Sequence, residues 1–202
     1  MRDVSEDTPG VPIRADGRRS HEHLLAAAQV AFAEQGTDAS LREVARRAGV
    51  SIATLYRHFP TREALLEALL RQAFEALHSL AADLLAASDP GQALVTWIRE
   101  LAAASTRYDG VPAAVMGALR DPDSTLHASC AGLRAAAGAL LTRAQRSGRI
   151  RADLRVDELL ATVYGVAWSA RQAPGAGDRF LELLVDGLAT RHNQPTLRRR
   201  SV

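Results

Sequence analysis

Ser40-Leu-Arg-Glu-Val-Ala-Arg-Arg-Ala-Gly-Val-Ser-Ile-Ala-Thr-Leu-Tyr-Arg-His-Phe-Pro60 contains two short helices and the turn between them. Ser40 and Glu43 form a capping box, in which each side chain answers an orphan backbone donor of the other, so a helix starts at Leu41. Leu41, Val44, Ala45 and Ala48 make its apolar face. Gly49 supplies a backbone conformation that residues with a side chain resist, and Ser51, three positions before Thr54, is a second N-cap. The next helix runs from about Ile52 to Phe59. Leu55 and Phe59, one turn apart, are buried, which leaves Ile52, Ala53, Thr54, Tyr56, Arg57 and His58 for the other faces. The stretch is a helix-turn-helix, and these are the residues its second helix presents.

The chemistry of that surface suits DNA. In such a pair the second helix enters the major groove while the first crosses the backbone. Thr54, Tyr56 and His58 carry donors for phosphate oxygens, and Ile52 and Ala53 offer apolar contact to thymine methyls. Arg42 can reach a guanine or a phosphate. Arg62 opens the next helix, where backbone donors and the positive dipole end favour an anion. Taken singly, each of these has a plainer reading: Arg42, Arg46, Arg47 and Arg57 as a solvated face, Tyr56 as a packing residue. Caps, glycine turn and apolar spacing agree on the binding reading.

Three segments carry a family resemblance: Leu24-Leu25-Ala-Ala-Ala-Gln-Val-Ala-Phe32-Ala-Glu-Gln-Gly36, then Arg47-Ala-Gly-Val-Ser51, then Thr54-Leu-Tyr-Arg-His-Phe-Pro60 followed by Arg62-Glu-Ala-Leu65. They resemble the Tet repressor (TetR/AcrR) family of bacterial regulators over about a quarter of the chain. The family pattern usually has Gly where this chain has Ala53 and Lys where it has Arg62, so Arg62 meets a phosphate as a planar fork rather than a point charge. The resemblance implies DNA contacts at Arg42, Ile52, Ala53, Thr54, Tyr56, His58 and Arg62, and Ser51 is a further candidate DNA-binding residue. It also implies a two-fold dimer whose last two helices pair with their partners as a four-helix bundle.

Composition narrows the alternatives. The chain of 202 residues has ample apolar content for a core, few aromatics and little strand-like alternation, so an all-α protein is expected. The net charge of +2 does not announce a nucleic-acid binder; the placement of the charge does. All 25 Lys/Arg-class residues are Arg, which removes Schiff-base chemistry and the P-loop lysine. Cys130, the single cysteine, excludes an intrachain disulfide and a cysteine-rich metal site, and is expected in the core. No apolar run is long enough to span a bilayer and the N-terminus lacks the order of a signal peptide, so a cytoplasmic protein without membrane contact is expected.

Residues 1–17 are polar and carry Pro9, Gly10 and Pro12, which predicts a disordered arm; its Arg14 and the adjoining Arg18 and Arg19 either follow a phosphate strand or merely solvate. Residues 18–61 form the helix-turn-helix domain, whose first helix ends at Gly36. His21 and His23 lie two apart on that helix and point away from each other, so they are not a metal pair. Residues 62–192 form a larger helical domain for regulation and dimerisation, and 193–202 a tail with a solvated Arg198-Arg199-Arg200. In the larger domain helices are expected over about 62–87, 92–108, 112–120, 124–147, 156–172 and 178–192, with breaks at Asp89-Pro90-Gly91, Asp109-Gly110 and Ala173-Pro174-Gly175. Ala161, Gly165 and Gly187 are the close-approach positions expected in the dimer.

The functional expectation is a homodimeric repressor that binds a palindromic double-stranded operator and is released by a small molecule. Trp97, Leu101, Tyr108, Met116, Leu133, Tyr164 and Trp168 are expected to line one apolar interior for that effector. The alternative is a helical enzyme or small-molecule carrier with an incidental helix-turn-helix. It finds no support in a Ser-His-Asp order, a Glu-x-x-His metal pair, a phosphate loop or a paired cysteine nucleophile, so no catalytic residue, metal or cofactor is expected. The line Asp178, Glu182, Asp186 reads as a solvated acidic face.

Overall fold

The computed structural model describes residues 12–36, 38–106, 117–118 and 120–189. They form helices α1 (Pro12–Gln35), α2 (Leu41–Arg47), α3 (Ile52–His58), α4 (Arg62–Leu84), α5 (Pro90–Thr106), α6 (Thr125–Arg146), α7 (Val156–Gln172) and α8 (Gly177–Leu188). Among the described residues the nearest thing to a strand is one antiparallel bridge, Ile150 to Ala189. The protein is all-α, as its periodicity predicts.

Local chemistry sets most of the boundaries. Thr61 Oγ1 accepts the Ala64 amide at 3.1 Å and starts α4. Asp89 Oδ1 accepts from the amides of Gly91 and Gln92, with Pro90 at the first helical position of α5, where its missing N–H costs nothing. Those amides, Gln92 foremost, hold the Asp89 carboxyl below its ordinary range. Ser124 Oγ accepts from Leu126 to start α6, and Gly148, at φ +72°, turns the chain after it. Helix α1 begins earlier than expected, at Pro12 rather than near Arg18. Proline is compatible with a first helical turn, so residues 12–17 are helix and not arm. Residues 1–11 and 190–202 lie outside the described residues.

The chain divides into two units, with the break between Leu70 and Arg71. In the first, α1 packs on α2 and α2 on α3. Leu24, Ala28, Phe32, Val44, Leu55, Leu65 and Leu66 are almost completely buried there. The opening turns of α4, through Leu70, group with this unit because Leu65, Leu66 and Leu69 are core residues.

In the second unit α7 packs on α5, α6 and α8. The core joins Leu77 and Ala81 of α4, Leu94, Trp97, Ile98 and Leu101 of α5, Leu133, Ala137, Leu140 and Leu141 of α6, and Leu159, Val163 and Ala167 of α7. Leu159, Val163 and Ala167 recur every four residues, the stripe that buries one side of α7. Arg134 and Asp157 pair at 2.7 Å and tie α6 to α7.

Candidate nucleic-acid interface and effector cavity

Ser40 adopts an extended N-cap conformation (φ −65°, ψ 121°) and its hydroxyl faces the Glu43 amide at 3.5 Å, a long contact. The Glu43 carboxylate is committed elsewhere. It accepts from Arg46 through Nε at 2.7 Å and Nη2 at 2.8 Å, and from Arg47 Nε at 2.8 Å. Those bonds, Arg46 first and Arg47 second, lower the Glu43 pKa from 4.5 to about 2. Arg47 also donates to Glu34 of α1 at 2.7 Å. A depressed carboxylate stabilises the fold above its unfolded pKa and loses that contribution as pH falls through the folded one. Acid titration between about pH 5 and 2 should therefore remove what these bonds contribute to α2, and Glu43→Gln should flatten that part of a melting-against-pH profile.

Gly49 turns the chain at φ +70°, and the Val50 amide closes back on the Ala45 carbonyl. A residue with a side chain is strained at that φ whatever the surrounding space. Ser51 Oγ then accepts the Thr54 amide at 3.1 Å and lies 3.0 Å from Thr54 Oγ1. Leu55 and Phe59 are buried, as the spacing requires. Ala53, Tyr56 and Arg57 are exposed, and Ile52, Thr54 and His58 are half-buried. Tyr56, 47% exposed, stands out from the surface rather than packing on a neighbour. Arg42 is exposed and has no ion pair among the described residues.

Two of the expected contact residues are engaged within the chain. The His58 ring packs edge-on against His21 at 5.8 Å, and His21 lies 4.8 Å from Phe59. His58 Nε2 is buried without a hydrogen bond, so that nitrogen faces inward and not toward a phosphate. The sequence could not show this, because α1 supplies the ring that covers it. Arg62 Nη1 donates to the Ala39 carbonyl at 2.7 Å, joining the start of α4 to the residue before the α2 cap. Hydrogen bonds to a charged partner contribute about 1.5–3 kcal/mol. Arg62→Ala should therefore lower the melting stability of the DNA-free protein by about 1–3 kcal/mol, discounted for partial exposure. An unchanged melt would leave Arg62 a role on DNA alone.

Of the seven residues expected to line one interior, the five described do not share one. Trp97, Leu101 and Leu133 are packed into the core with at most 1% exposure, and Trp97 Nε1 already donates to the Leu77 carbonyl at 2.9 Å. Tyr164 and Trp168 face outward, 41% and 58% exposed. Tyr108 and Met116 lie outside the described residues. The reason is helical phase: Tyr164 and Trp168 each follow a buried residue of α7, Val163 and Ala167, by one position and so turn away from the core. Crowding around the Tyr164 hydroxyl, with Cys130 close by, pushes its pKa up to about 12, so the phenol stays neutral. Cys130 is half-buried, and burial raises its thiol pKa.

The structure instead opens a cavity of about 580 Å³ between α5, α7 and α8. Its apolar wall includes Ala102, Ala103, Val166 and Leu181; its charged groups are Arg99, Glu100, Asp178 and Glu182. Composition gave no sign of it, since the lining is alanine and ordinary surface charge. The signal that was there is Ala102 and Ala103 of α5 with Ala170 of α7 and Gly177 of α8, small residues on all three walls where larger ones would fill the gap. Among the described residues no group of His, Cys, Asp and Glu is placed to hold a metal ion. No helix among them is long and apolar enough to cross a membrane.

These features have close counterparts. The sequence pattern of "Bacterial regulatory proteins, tetR family" matches residues 24–69, and that of "Transcriptional regulator SbtR-like, C-terminal domain" matches residues 89–190. The TetR transcriptional regulator SCO0520 from Streptomyces coelicolor is 35% identical, with a TM-score of 0.67 over 84% of this chain and 98% of that one. A TetR regulatory protein from Mycobacterium vanbaalenii is 32% identical, with a TM-score of 0.60 over 88% of this chain and 99% of its own. The HTH-type transcriptional repressor KstR2 of Rhodococcus jostii is 25% identical over 94% of this chain and 98% of its length. The chain belongs to the TetR family and is a DNA-binding transcriptional regulator rather than an enzyme.

Proposed function

We propose that the protein is a homodimeric repressor of the bacterial cytoplasm, where the chromosome is, that holds a palindromic operator and leaves it when a small molecule binds. The observation that carries the dimer is an uncovered apolar surface on α7 and α8. Tyr164, Trp168 and Leu183 are exposed there, and Leu188 is the one fully buried residue of α8. An apolar helix face of this kind marks an interaction site. Gly165 and Gly187 lie on the same two helices, and a Cβ at either would meet nothing within 4 Å in the single chain. Glycine inside a helix costs about 0.5–1 kcal/mol relative to alanine, so its use there favours close approach by a second copy. A two-fold dimer presents two recognition helices about 34–36 Å apart to two half-sites. Sedimentation at micromolar concentration should give twice the chain mass; a monomer would refute the proposal.

Within each half-site Ile52, Ala53, Thr54 and Tyr56 meet the major groove, Ser51 holds Thr54 in place, and Arg42 takes a phosphate or a guanine. The similarity to the KstR2 repressor supports repression over activation. The limits that go with this reading are about 12–70 for DNA and the chain beyond Arg71 for regulation and pairing, with α4 running from one into the other.

The effector site is the α5–α7–α8 cavity, whose volume suits a small organic molecule. Its apolar wall and three carboxylates favour an amphipathic compound with a positive or hydrogen-donating end. Such a ligand acts only by preferring the conformer that fits the operator less well, and a coupling of about 1–3 kcal/mol lowers operator affinity roughly 5–150-fold. Ala103→Trp, at an exposed position on the cavity wall, should block release by every compound that frees the wild type while leaving operator binding intact. Normal release from the filled cavity would move the effector elsewhere.

A further inference from the structure

We infer that Glu43 restrains sequence-independent DNA affinity by holding Arg46 out of reach of the phosphates. The inference rests on the DNA-binding function and on α2 lying along the phosphate strand, as the first helix of such a pair does. Helix α2 carries three arginines, and the structure treats them differently. Arg42 is exposed and unpaired among the described residues. Arg46, one turn further on the same side of the helix, spends Nε and Nη2 on the two oxygens of Glu43 at 2.7 and 2.8 Å, although its side chain is 73% exposed. Arg47 is doubly held, by Glu43 at 2.8 Å and by Glu34 at 2.7 Å.

A two-point bond between a guanidinium and a carboxylate uses the same fork that a phosphate would use. For Arg46 to contact DNA, both bonds must break, which leaves the Glu43 carboxylate held by Arg47 alone and beside the phosphates as a like charge. Glu43 thus withholds one contact per subunit and adds a repulsion. Arg47 differs, because Glu34 retains it when Glu43 is neutralised. Each phosphate contact contributes about 0.9 to the salt slope of binding, so one arginine gained per subunit raises the slope by about 0.9, and the affinity roughly eightfold near 0.1 M salt, for each subunit on the duplex.

The test uses the full chain and a short fluorescent duplex of random sequence, with anisotropy titrations between about 50 and 200 mM salt. Glu43→Gln should steepen the slope by about 0.9 per subunit, and Glu43→Gln with Arg46→Gln should return it to the wild-type value. Arg46→Gln alone, which leaves the Glu43–Arg47 bond in place, should not move it. Glu34→Gln should not move it either, because Arg47 stays with Glu43; a plain count of charges predicts a change in both single variants. A shallower slope in Arg46→Gln, or an unchanged slope in a Glu43→Gln protein that melts cooperatively, overturns the inference while the DNA-binding function stands. A wild type that binds no duplex at all overturns both.

Discussion

Gly165→Trp is expected to give a folded monomer that has lost its operator. In the single chain a Cβ at position 165 meets nothing within 4 Å, so the indole has room and the core stripe Leu159, Val163, Ala167 on the other side of α7 is untouched. In the proposed dimer the same position lies where the partner's helix approaches, and a side chain of that size forces the two apart. Operator affinity should fall with it. Specific sites bind roughly 10³-fold or more above random DNA, and a monomer with one recognition helix drops toward the random level. Gly165→Ala gives the opposite control, since it gains the helix about 0.5–1 kcal/mol in the monomer and should cost dimer affinity only if approach is close. Light scattering, circular dichroism and a gel shift on one preparation read all three quantities. A Gly165→Trp protein that remains a tight dimer would move the interface off α7.

Trp97→Ala should be the most destabilising single substitution in the second unit. Trp97 is 0% exposed among Leu94, Ile98, Leu101, Leu133 and Leu140. Its Nε1 donates to the Leu77 carbonyl at 2.9 Å, across from α5 to α4. Deleting a buried aromatic of that size costs about 3–5 kcal/mol, from lost transfer energy and the void left behind. Against a total stability of about 5–15 kcal/mol, that is a third or more in the typical case. Trp97→Phe keeps much of the packing and removes the donor, so it should cost less. Urea unfolding of the three proteins checks the order. A small loss for Trp97→Ala would mean that this part of the core is not close-packed and would reopen it as an effector site.

What the sequence shows and what it hides divides along locality. The helix-turn-helix is legible because each determinant acts within a few residues: Ser51 on the Thr54 amide, Gly49 at positive φ, Leu55 and Phe59 one turn apart. Helix α7 is found at its expected limits for the same reason: the Glu158 carboxylate accepts the Arg155 amide at 3.0 Å at one end, and Pro174 lies just past the other. The start of α1 is missed because Pro12 reads equally as a break or as a first helical residue. His58 and Arg62 need tertiary information, since their partners, the His21 ring and the Ala39 carbonyl, are many residues away in the chain. Glu43 looks like a capping-box acid, and two arginines of its own helix take the carboxylate instead.

The expected effector-lining residues are the clearest case. Trp97 and Trp168 have the same chemistry in the sequence, yet one is sealed in the core and the other stands 58% exposed on α7. Which large residues face a common interior depends on the rotation of each helix about its axis, and an amphipathic pattern leaves that rotation open where both faces are apolar. The cavity itself is bordered by small and charged side chains, which carry no signal until α5, α7 and α8 are brought together.

Selection of bound duplexes from a random pool, followed by footprinting and a count of chains per site, decides whether the protein reads an operator as a dimer. A TetR-family dimer should enrich an inverted repeat, protect two half-sites related by a two-fold axis, and bind with two chains per repeat. Tyr56→Phe and Arg42→Gln should weaken that site and leave the melting of the DNA-free protein unchanged, since both side chains are exposed. Recovery of no sequence above the starting pool, or of an unrepeated site bound by one chain, would contradict the account.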